Sequence, residues 1–201
     1  MKKFCFVMVM ITVIGFASYG FAAETKVNVK ADELKRMGVF LSNFTELGFF
    51  DFDTESLSPK DLIQFGIRHN YINNYKSRIA QCKVKGCEYG SLTIDGKFVA
   101  ESLKKYFAID FKDHGSTMEP ESPSYYYDGK LYHFEGADGE ATYYARVKEV
   151  FKGDAGVLRM TGELYNADDE ESILGTFEAF AKPYKYGENN TWSFVSMTTS
   201  Y

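Results

Sequence analysis

The side chains best suited to chemistry lie on one predicted helix, between Ser58 and Ile79. At about 100° per residue, the apolar side chains of this segment share one side, and Arg68 falls among them. A guanidinium in that position either reaches out to solvent, pairs with a buried carboxylate or lines a polar cavity. We interpret Arg68 as the polar end of a small pocket between this helix and a sheet. Four further side chains of the helix would edge the pocket: Gln64, His69, Tyr71 and Tyr75.

The predicted acidic partner of Arg68 is Glu149. It alternates in phase with Val147 and Phe151, which places it on the face of its predicted strand that should be covered. A carboxylate on a covered face needs a charged or hydrogen-bonding partner. We therefore expect Arg68 to pair with Glu149 or with another inward-facing carboxylate, and Glu149 joins the predicted binding residues.

The alternative interpretation of the same pocket is an enzyme active site that uses His69. His69 with a carboxylate from the sheet could act as an acid/base pair in an enzyme with a deep cavity. His69, His114 and His133 lack the spacing of a helical metal motif, and the chain carries no G-x-S-x-G and no glycine-rich phosphate loop. The sequence therefore predicts a non-catalytic binding or interaction protein with no cofactor and no metal. The cavity-type enzyme is its alternative.

Cys82 and Cys87 form a close pair, separated by four residues that include Gly86. In an exported protein, such a pair predicts a disulfide first, and Gly86 would ease the tight turn of a small ring. A redox pair or half of a metal site are the alternatives. Redox pairs usually have two intervening residues, and no third cysteine or histidine lies near these two in the sequence.

The chain is rich in aromatic residues, with 15 Tyr and 18 Phe. One interpretation is a binding face for a sugar or a peptide, because flat aromatic rings stack on apolar surfaces. The other is ordinary packing between neighbouring strands and within the core. The tyrosines that could build a binding face are Tyr125, Tyr126, Tyr127, Tyr132, Tyr144 and Tyr184.

The amino terminus has the pattern of a secretory signal. Residues 1–3 carry two lysines, residues 4–16 are a short apolar run, and small residues precede a cleavage position after Ala22, with Ala23 as the alternative. The apolar run is short for a membrane span, which needs about 20 residues. We therefore expect residues 1–22 to be a signal peptide, residues 23–201 to form a single domain, and the protein to be periplasmic or extracellular.

The charge of the chain restricts its partners. Its net charge is −5 and it contains no basic run, which argues against nucleic acid or anionic lipid as a partner. Without its signal peptide the chain has no predicted membrane segment. A small molecule, a glycan or an envelope protein remain as partners.

The helix that carries Arg68 is the second of three predicted helices. Ser58, Pro59 and Asp61 form its start signal, a first helix follows Asp32, and a third follows Asp95. From Tyr125 onward the chain alternates like strands joined by turns, beginning with a hairpin at residues 128–129. The predicted fold is α+β, with three N-terminal helices packed on a curved antiparallel sheet of about five strands.

This order of elements resembles the nuclear-transport-factor-two-like and cystatin-like folds, in which a curved sheet wraps a helix and leaves a conical cavity. The phrases LSNFTELGFFDFD and FGIRHNYINNY are similar to those of small exported bacterial proteins with no assigned activity. The first resemblance implies a cavity between helix and sheet, and the second implies export. Neither implies a particular ligand, since one fold serves many functions.

We predict that the exported protein begins at Ala23 or Glu24, because the small residues before these positions suit a signal peptidase. Intact mass spectrometry of protein from the exported fraction of its host measures this directly. A retained Met1 in that fraction would contradict the export prediction.

Overall fold

The computed structural model describes residues 24–117, 124–136 and 142–201. The predicted signal peptide, residues 1–22, lies outside the described residues. Among those described, no helix is both long and apolar enough to span a bilayer.

The described residues form four α-helices, two short 3-10 helices (Thr54–Ser56 and Asp154–Gly156) and ten strands. The helices are α1 (Ala31–Thr45), α2 (Pro59–Asn73), α3 (Tyr75–Arg78) and α4 (Gly96–Phe107). The strands are β1 (Thr25–Lys26), β2 (Phe52–Asp53), β3 (Ile79–Gln81), β4 (Leu92–Asp95), β5 (Tyr126–Tyr127), β6 (Leu131–Phe134), β7 (Tyr143–Lys152), β8 (Leu158–Asn166), β9 (Asp169–Tyr186) and β10 (Asn189–Ser200).

The strands form two antiparallel sheets. The larger has six strands in the order β1-β7-β8-β9-β10-β2, and the smaller has four in the order β3-β4-β6-β5. The predicted α+β class with antiparallel strands is confirmed. The predicted layout, three helices on one sheet of about five strands, is wrong.

The predicted single sheet is divided because the hairpin of β5 and β6 joins a different partner. The hairpin forms as expected, but β6 pairs with β4, which precedes α4 in the chain. The strands β1 to β4 are only two to four residues long. Segments this short carry almost no periodic signal, so the sequence pattern did not indicate them.

The start of α2 agrees with its sequence signal. The Ser58 hydroxyl accepts a hydrogen bond from the Asp61 backbone N–H at 3.3 Å, and the Asp61 carboxylate accepts the Ser58 N–H at 2.9 Å. This reciprocal capping box satisfies two N–H groups that a helix start leaves unpaired. The helix ends sooner than predicted, because Asn74 (φ −134°, ψ 20°) leaves helical geometry and separates α2 from α3.

Helix α1 lies directly on β7. A Cβ on Gly38 would come within 2.7 Å of the Ala145 carbonyl oxygen, so glycine permits this approach. The Ser42 hydroxyl accepts the Ala145 N–H at 3.0 Å, and the Thr45 hydroxyl donates to the Tyr143 carbonyl at 2.7 Å. β8 pairs with one edge of β7 here, and on the other edge β1 reaches only Phe151 and Lys152, so these side chains satisfy backbone groups that no strand covers and protect this edge of the sheet.

The core is built around the ring of Phe44, which is fully buried. Its ring centroid lies 5.1 Å from that of Phe65 on α2 and 4.3 Å from that of Phe194 on β10. It also contacts Phe107 at the end of α4, with centroids 5.4 Å apart. One side chain of α1 therefore joins α2, α4 and the six-stranded sheet.

We predict that Phe44→Ala lowers the free energy of unfolding by about 3–5 kcal/mol, because the cavity it leaves is enclosed by rings that cannot collapse into it. Urea denaturation measures this value. The control is Val39→Ala on the same helix, where Val39 is 60% exposed and the change should stay within about 0.5 kcal/mol. Equal effects of the two substitutions would contradict the central place of Phe44.

Candidate functional site

The residues of the predicted pocket separate into two groups around α2. The helix packs on α4, where a Cβ on Gly66 would lie 2.6 Å from the Val99 side chain. Its buried side carries Ile63, Ile67 and His69, whereas Gln64 and Arg68 are half-buried. Arg68 therefore lies beside the buried face of α2 and not at its centre.

Arg68, Tyr71 and Tyr75 lie toward the four-stranded sheet. The Tyr71 ring contacts Tyr75 at 5.4 Å and Phe134 of β6 at 6.1 Å between centroids. Burial raises the pKa of Tyr125 to about 12, and the nearby positive charge of Arg68 opposes that rise. Tyr75 remains 43% exposed. Tyr71 therefore packs α2 against β6, whereas Tyr75, at the start of α3, is exposed to solvent.

Glu149 lies on the outer face of the six-stranded sheet, where it forms an ion pair with Lys26. A bulge between Val147 and Glu149 shifts the alternation of β7, so that Val147 and Val150 are buried. The Glu149 side chain is 44% exposed. The expectation that Glu149 faces the covered side is therefore wrong, because a one-residue bulge exchanges the two faces of a strand.

His69 is buried between aromatic rings. It stacks on Phe65 with centroids 5.8 Å apart and meets Tyr106 edge-on at 4.7 Å. Burial, followed by the positive charges of Lys105 and Arg78, lowers the pKa of His69 to about 3. His69 is thus neutral across the physiological range. The geometry gives no support to the alternative of an acid/base enzyme at this residue.

A groove of about 680 Å³ runs between α1 and β7, and neither Arg68 nor His69 lines it. Tyr144 and Tyr165 stand at one side of this groove with ring centroids 6.0 Å apart, and Arg146 lies 4.4 Å from the centroid of the Tyr165 ring. The hydroxyl of Ser42, on the groove wall, is already bonded to the backbone of β7. That hydroxyl already accepts a hydrogen bond from the Ala145 N–H inside the protein.

Cys82 and Cys87 are both free, half-exposed thiols, so the structure does not contain the predicted disulfide. Cys82 directly follows β3, and its N–H donates to the Ser91 carbonyl at 2.8 Å. The Cys87 N–H donates to the Val84 carbonyl at 3.2 Å, which folds the intervening loop back on itself. Both sulfur atoms consequently face the same side of the small sheet.

The third member of the cluster is His133, a buried residue of β6. Its Nδ1 lies 3.4 Å from Cys82 Sγ and 3.5 Å from Cys87 Sγ. The two sulfur atoms and a His133 ring nitrogen all lie within 4.8 Å of one another. The cysteine pair thus has a histidine partner. The sequence did not indicate it, because α4 and a long connection separate Cys87 from β6 in the chain.

Asp128 fixes the orientation of His133. Its Oδ2 lies 3.1 Å from His133 Nε2, and its Oδ1 accepts the Leu131 N–H at 2.7 Å and the Lys130 N–H at 2.9 Å. We assign the ring proton to Nε2, since an ionised carboxylate only accepts hydrogen bonds. The lone pair of Nδ1 then points at the two sulfur atoms.

The electrostatics of the cluster favour the charged forms of Asp128, His133 and Cys87, but not that of Cys82. A hydrogen bond from the Val84 N–H lowers the pKa of the Cys82 thiol, but burial and the neighbouring Cys87 raise it overall. The Leu131 N–H, with His133 and the Lys130 N–H, lowers the pKa of Asp128. Burial alone would lower the pKa of His133, but the hydrogen bonds with Asp128 and Cys87 raise it overall. A hydrogen bond from the Tyr89 N–H, together with Cys82 and His133, lowers the pKa of the Cys87 thiol.

Gly90 and Ser91 hold the loop that carries Cys82 and Cys87 close to the end of β6. Gly90 has φ +130°, and a Cβ there would lie 2.1 Å from the Phe134 carbonyl carbon. Ser91 donates from its N–H and its hydroxyl to the Glu135 carboxylate, both at 2.9 Å. These contacts hold the loop beside His133, and a larger residue at position 90 would push it away.

In comparisons with known proteins, no protein-family model, no curated protein and no solved structure matches the chain. The resemblance to nuclear-transport-factor-two-like folds therefore stays a prediction. The site must be interpreted from its own geometry.

The lowered pKa of His69 predicts a specific loss of stability in acid. The unfolded chain takes up a proton at this residue below about pH 6.5, whereas the folded chain does so only near pH 3, so its contribution to stability falls as the pH drops through this range. Between pH 7 and pH 5 the loss should be about 2 kcal/mol.

The measurement is urea denaturation of wild type and His69→Phe at both pH values. Phenylalanine keeps the ring contacts and cannot take up a proton, so the variant should lose about 2 kcal/mol less than wild type between pH 7 and pH 5. The same pH dependence in both proteins would show that His69 titrates normally in the folded state.

Proposed function

We propose that this protein is an exported metal-binding protein that holds a zinc-class divalent ion on Cys82, Cys87 and His133. The observation that carries the proposal is the convergence of two thiols on Nδ1 of His133, whose Nε2 is hydrogen-bonded to Asp128.

The distances between the ligand atoms suit such an ion. Zinc bonds of about 2.3 Å to sulfur and about 2.0–2.1 Å to nitrogen, at a tetrahedral angle, separate the two atoms by about 3.5 Å. The distances from His133 Nδ1 to the sulfur atoms of Cys82 and Cys87 are 3.4 and 3.5 Å. The histidine nitrogen therefore already lies at nearly the distance from each sulfur atom that a bound ion would require.

Asp128 supplies the outer support that metal-binding histidines usually have. A histidine that binds zinc through one nitrogen commonly donates the other N–H to a carboxylate, which fixes the ring and increases its basicity. Two backbone N–H groups in turn fix the Asp128 carboxylate. His133 lies on β6, Cys82 directly follows β3, and a hydrogen bond from the Cys87 N–H to the Val84 carbonyl closes the turn before Cys87, so the three ligands lie close together before any ion binds.

The identity of the donors selects the class of ion. Two thiolates and an imidazole favour zinc and other soft ions, whereas magnesium and calcium prefer oxygen ligands. Among the described residues the cluster contributes three ligands. Three protein ligands leave one coordination position for water or an outside ligand, as in sites that exchange or activate what they bind.

This proposal keeps the binding function predicted from the sequence and moves its site from α2 to the four-stranded sheet. The signal-like residues 1–22 support export to the periplasm or the extracellular space. The half-exposed cysteines allow an ion to enter from that side.

We predict that residues 23–201, purified in reductant, bind one zinc ion per chain. Cobalt(II) titration gives the clearest signal, because thiolate-to-cobalt charge-transfer bands appear only when sulfur binds the ion. Cys82→Ser, Cys87→Ser and His133→Asn should each weaken binding strongly. Asp128→Asn should weaken it by about 10- to 100-fold, since it removes the support of the histidine and not a ligand.

The matched control is Lys85→Ser, an exposed residue of the loop between the two cysteines. This variant should bind cobalt and zinc as wild type does. Binding that survives in the double variant Cys82→Ser, Cys87→Ser, or the absence of thiolate-to-cobalt bands in reduced wild type, would contradict the proposal.

A further inference from the structure

The two cysteines of the metal cluster also have the arrangement of a reactive dithiol. Both are half-exposed, and they flank a loop whose residues 83–86 are all exposed, so a reagent can reach them. His133 Nδ1 lies within 3.5 Å of both sulfur atoms and can accept a thiol proton. Asp128, bonded to the opposite nitrogen, stabilises the imidazolium that results.

We propose that Cys82 and Cys87 react with disulfide substrates by thiol–disulfide exchange, and that this reaction expels the bound metal. The inference rests on the proposed function for the metal, but the exchange itself depends only on the two thiols and His133. The free thiols of the structure are the reduced form of this pair.

The reaction balances with a substrate disulfide as the oxidant. The thiolate of one cysteine attacks a sulfur of the substrate, forms a mixed disulfide and releases the first substrate thiolate. The thiolate of the second cysteine then attacks the bonded cysteine sulfur and releases the second substrate thiolate. Two electrons pass to the substrate, and one bond forms between Cys82 and Cys87. The two substrate thiolates take up the two protons that the cysteine thiols lose.

The geometry of the loop permits this bond. The turn closed by the Cys87 N–H and the Val84 carbonyl already brings the two cysteines together, and Gly86 has φ +67°. The sulfur atoms lie within 4.8 Å of each other. Closing the bond needs a shift of side chains within an exposed loop, whereas His133 and its strand stay in place.

Metal binding and the disulfide exclude each other. Two thiolates on one tetrahedral zinc lie about 3.8 Å apart, whereas the sulfur atoms of a disulfide are about 2.05 Å apart and carry no charge. Oxidation therefore removes two of the three protein ligands at once. A disulfide-rich environment should empty the site, and reduction should restore it.

The experiment treats zinc-loaded protein, residues 23–201, with oxidised glutathione. A chromophoric chelator reports released zinc, and alkylation followed by intact mass spectrometry counts the remaining thiols. We expect one equivalent of zinc to be released as two alkylatable thiols are lost, with a Cys82–Cys87 link found by peptide mapping. Added dithiothreitol should restore both thiols and zinc binding.

Single variants of the apo protein test the two steps. Cys82→Ser should stop at a mixed disulfide between glutathione and Cys87, and Cys87→Ser at one with Cys82, each adding one glutathione to the mass. Lys85→Ser should behave as wild type. A wild-type protein that also accumulates the mixed disulfide without forming the internal link would overturn the exchange.

The outcomes separate this inference from the proposed function. Reduced protein that never binds zinc refutes the proposed function, and with it the expulsion of a metal. Protein that binds zinc but keeps it after glutathione treatment, or keeps both thiols free, refutes the dithiol inference alone. Release of zinc in step with formation of the Cys82–Cys87 link supports both.

Discussion

Aromatic rings packed around Phe44 hold three of the helices and the six-stranded sheet together. This ring joins α1 to Phe65 on α2, Phe107 on α4 and Phe194 on β10, and it is fully buried. Aromatic pairs of this kind bury large areas and have preferred geometries, so they fix angles between elements as well as distances. Because Asp95 ends β4 and also caps α4, the same core sets the position of the four-stranded sheet.

The candidate metal site is built on that smaller sheet and takes its precision from it. The order β3-β4-β6-β5 brings the chain after β3, which carries Cys82, next to His133 on β6. The hairpin turn before β6 supplies Asp128, whose carboxylate is held by the backbone N–H groups that follow it. The imidazole ring of His133 is thus held by a nearby turn residue, Asp128, and by the pairing of β6 with β4.

The sequence predicted those features that local signals determine. The capping box of α2, the start of α4 at Asp95 and the hairpin around residues 128–129 are all present. The sequence-based prediction failed where one extra residue shifts the alternation of a strand, and where strands are too short to show an alternating pattern. The bulge in β7 turned Glu149 outward, and the short β3 and β4 concealed the second sheet. We noted Cys82 and Cys87 in the sequence as a pair and His133 as a separate histidine, but only the strand order shows that the three meet.

X-ray absorption at the zinc edge shows whether Cys82, Cys87 and His133 bind one ion together. For reduced, zinc-loaded protein, residues 23–201, we expect two sulfur atoms at about 2.3 Å and a histidine nitrogen at about 2.0–2.1 Å from the ion. A first coordination shell made only of nitrogen and oxygen would contradict it.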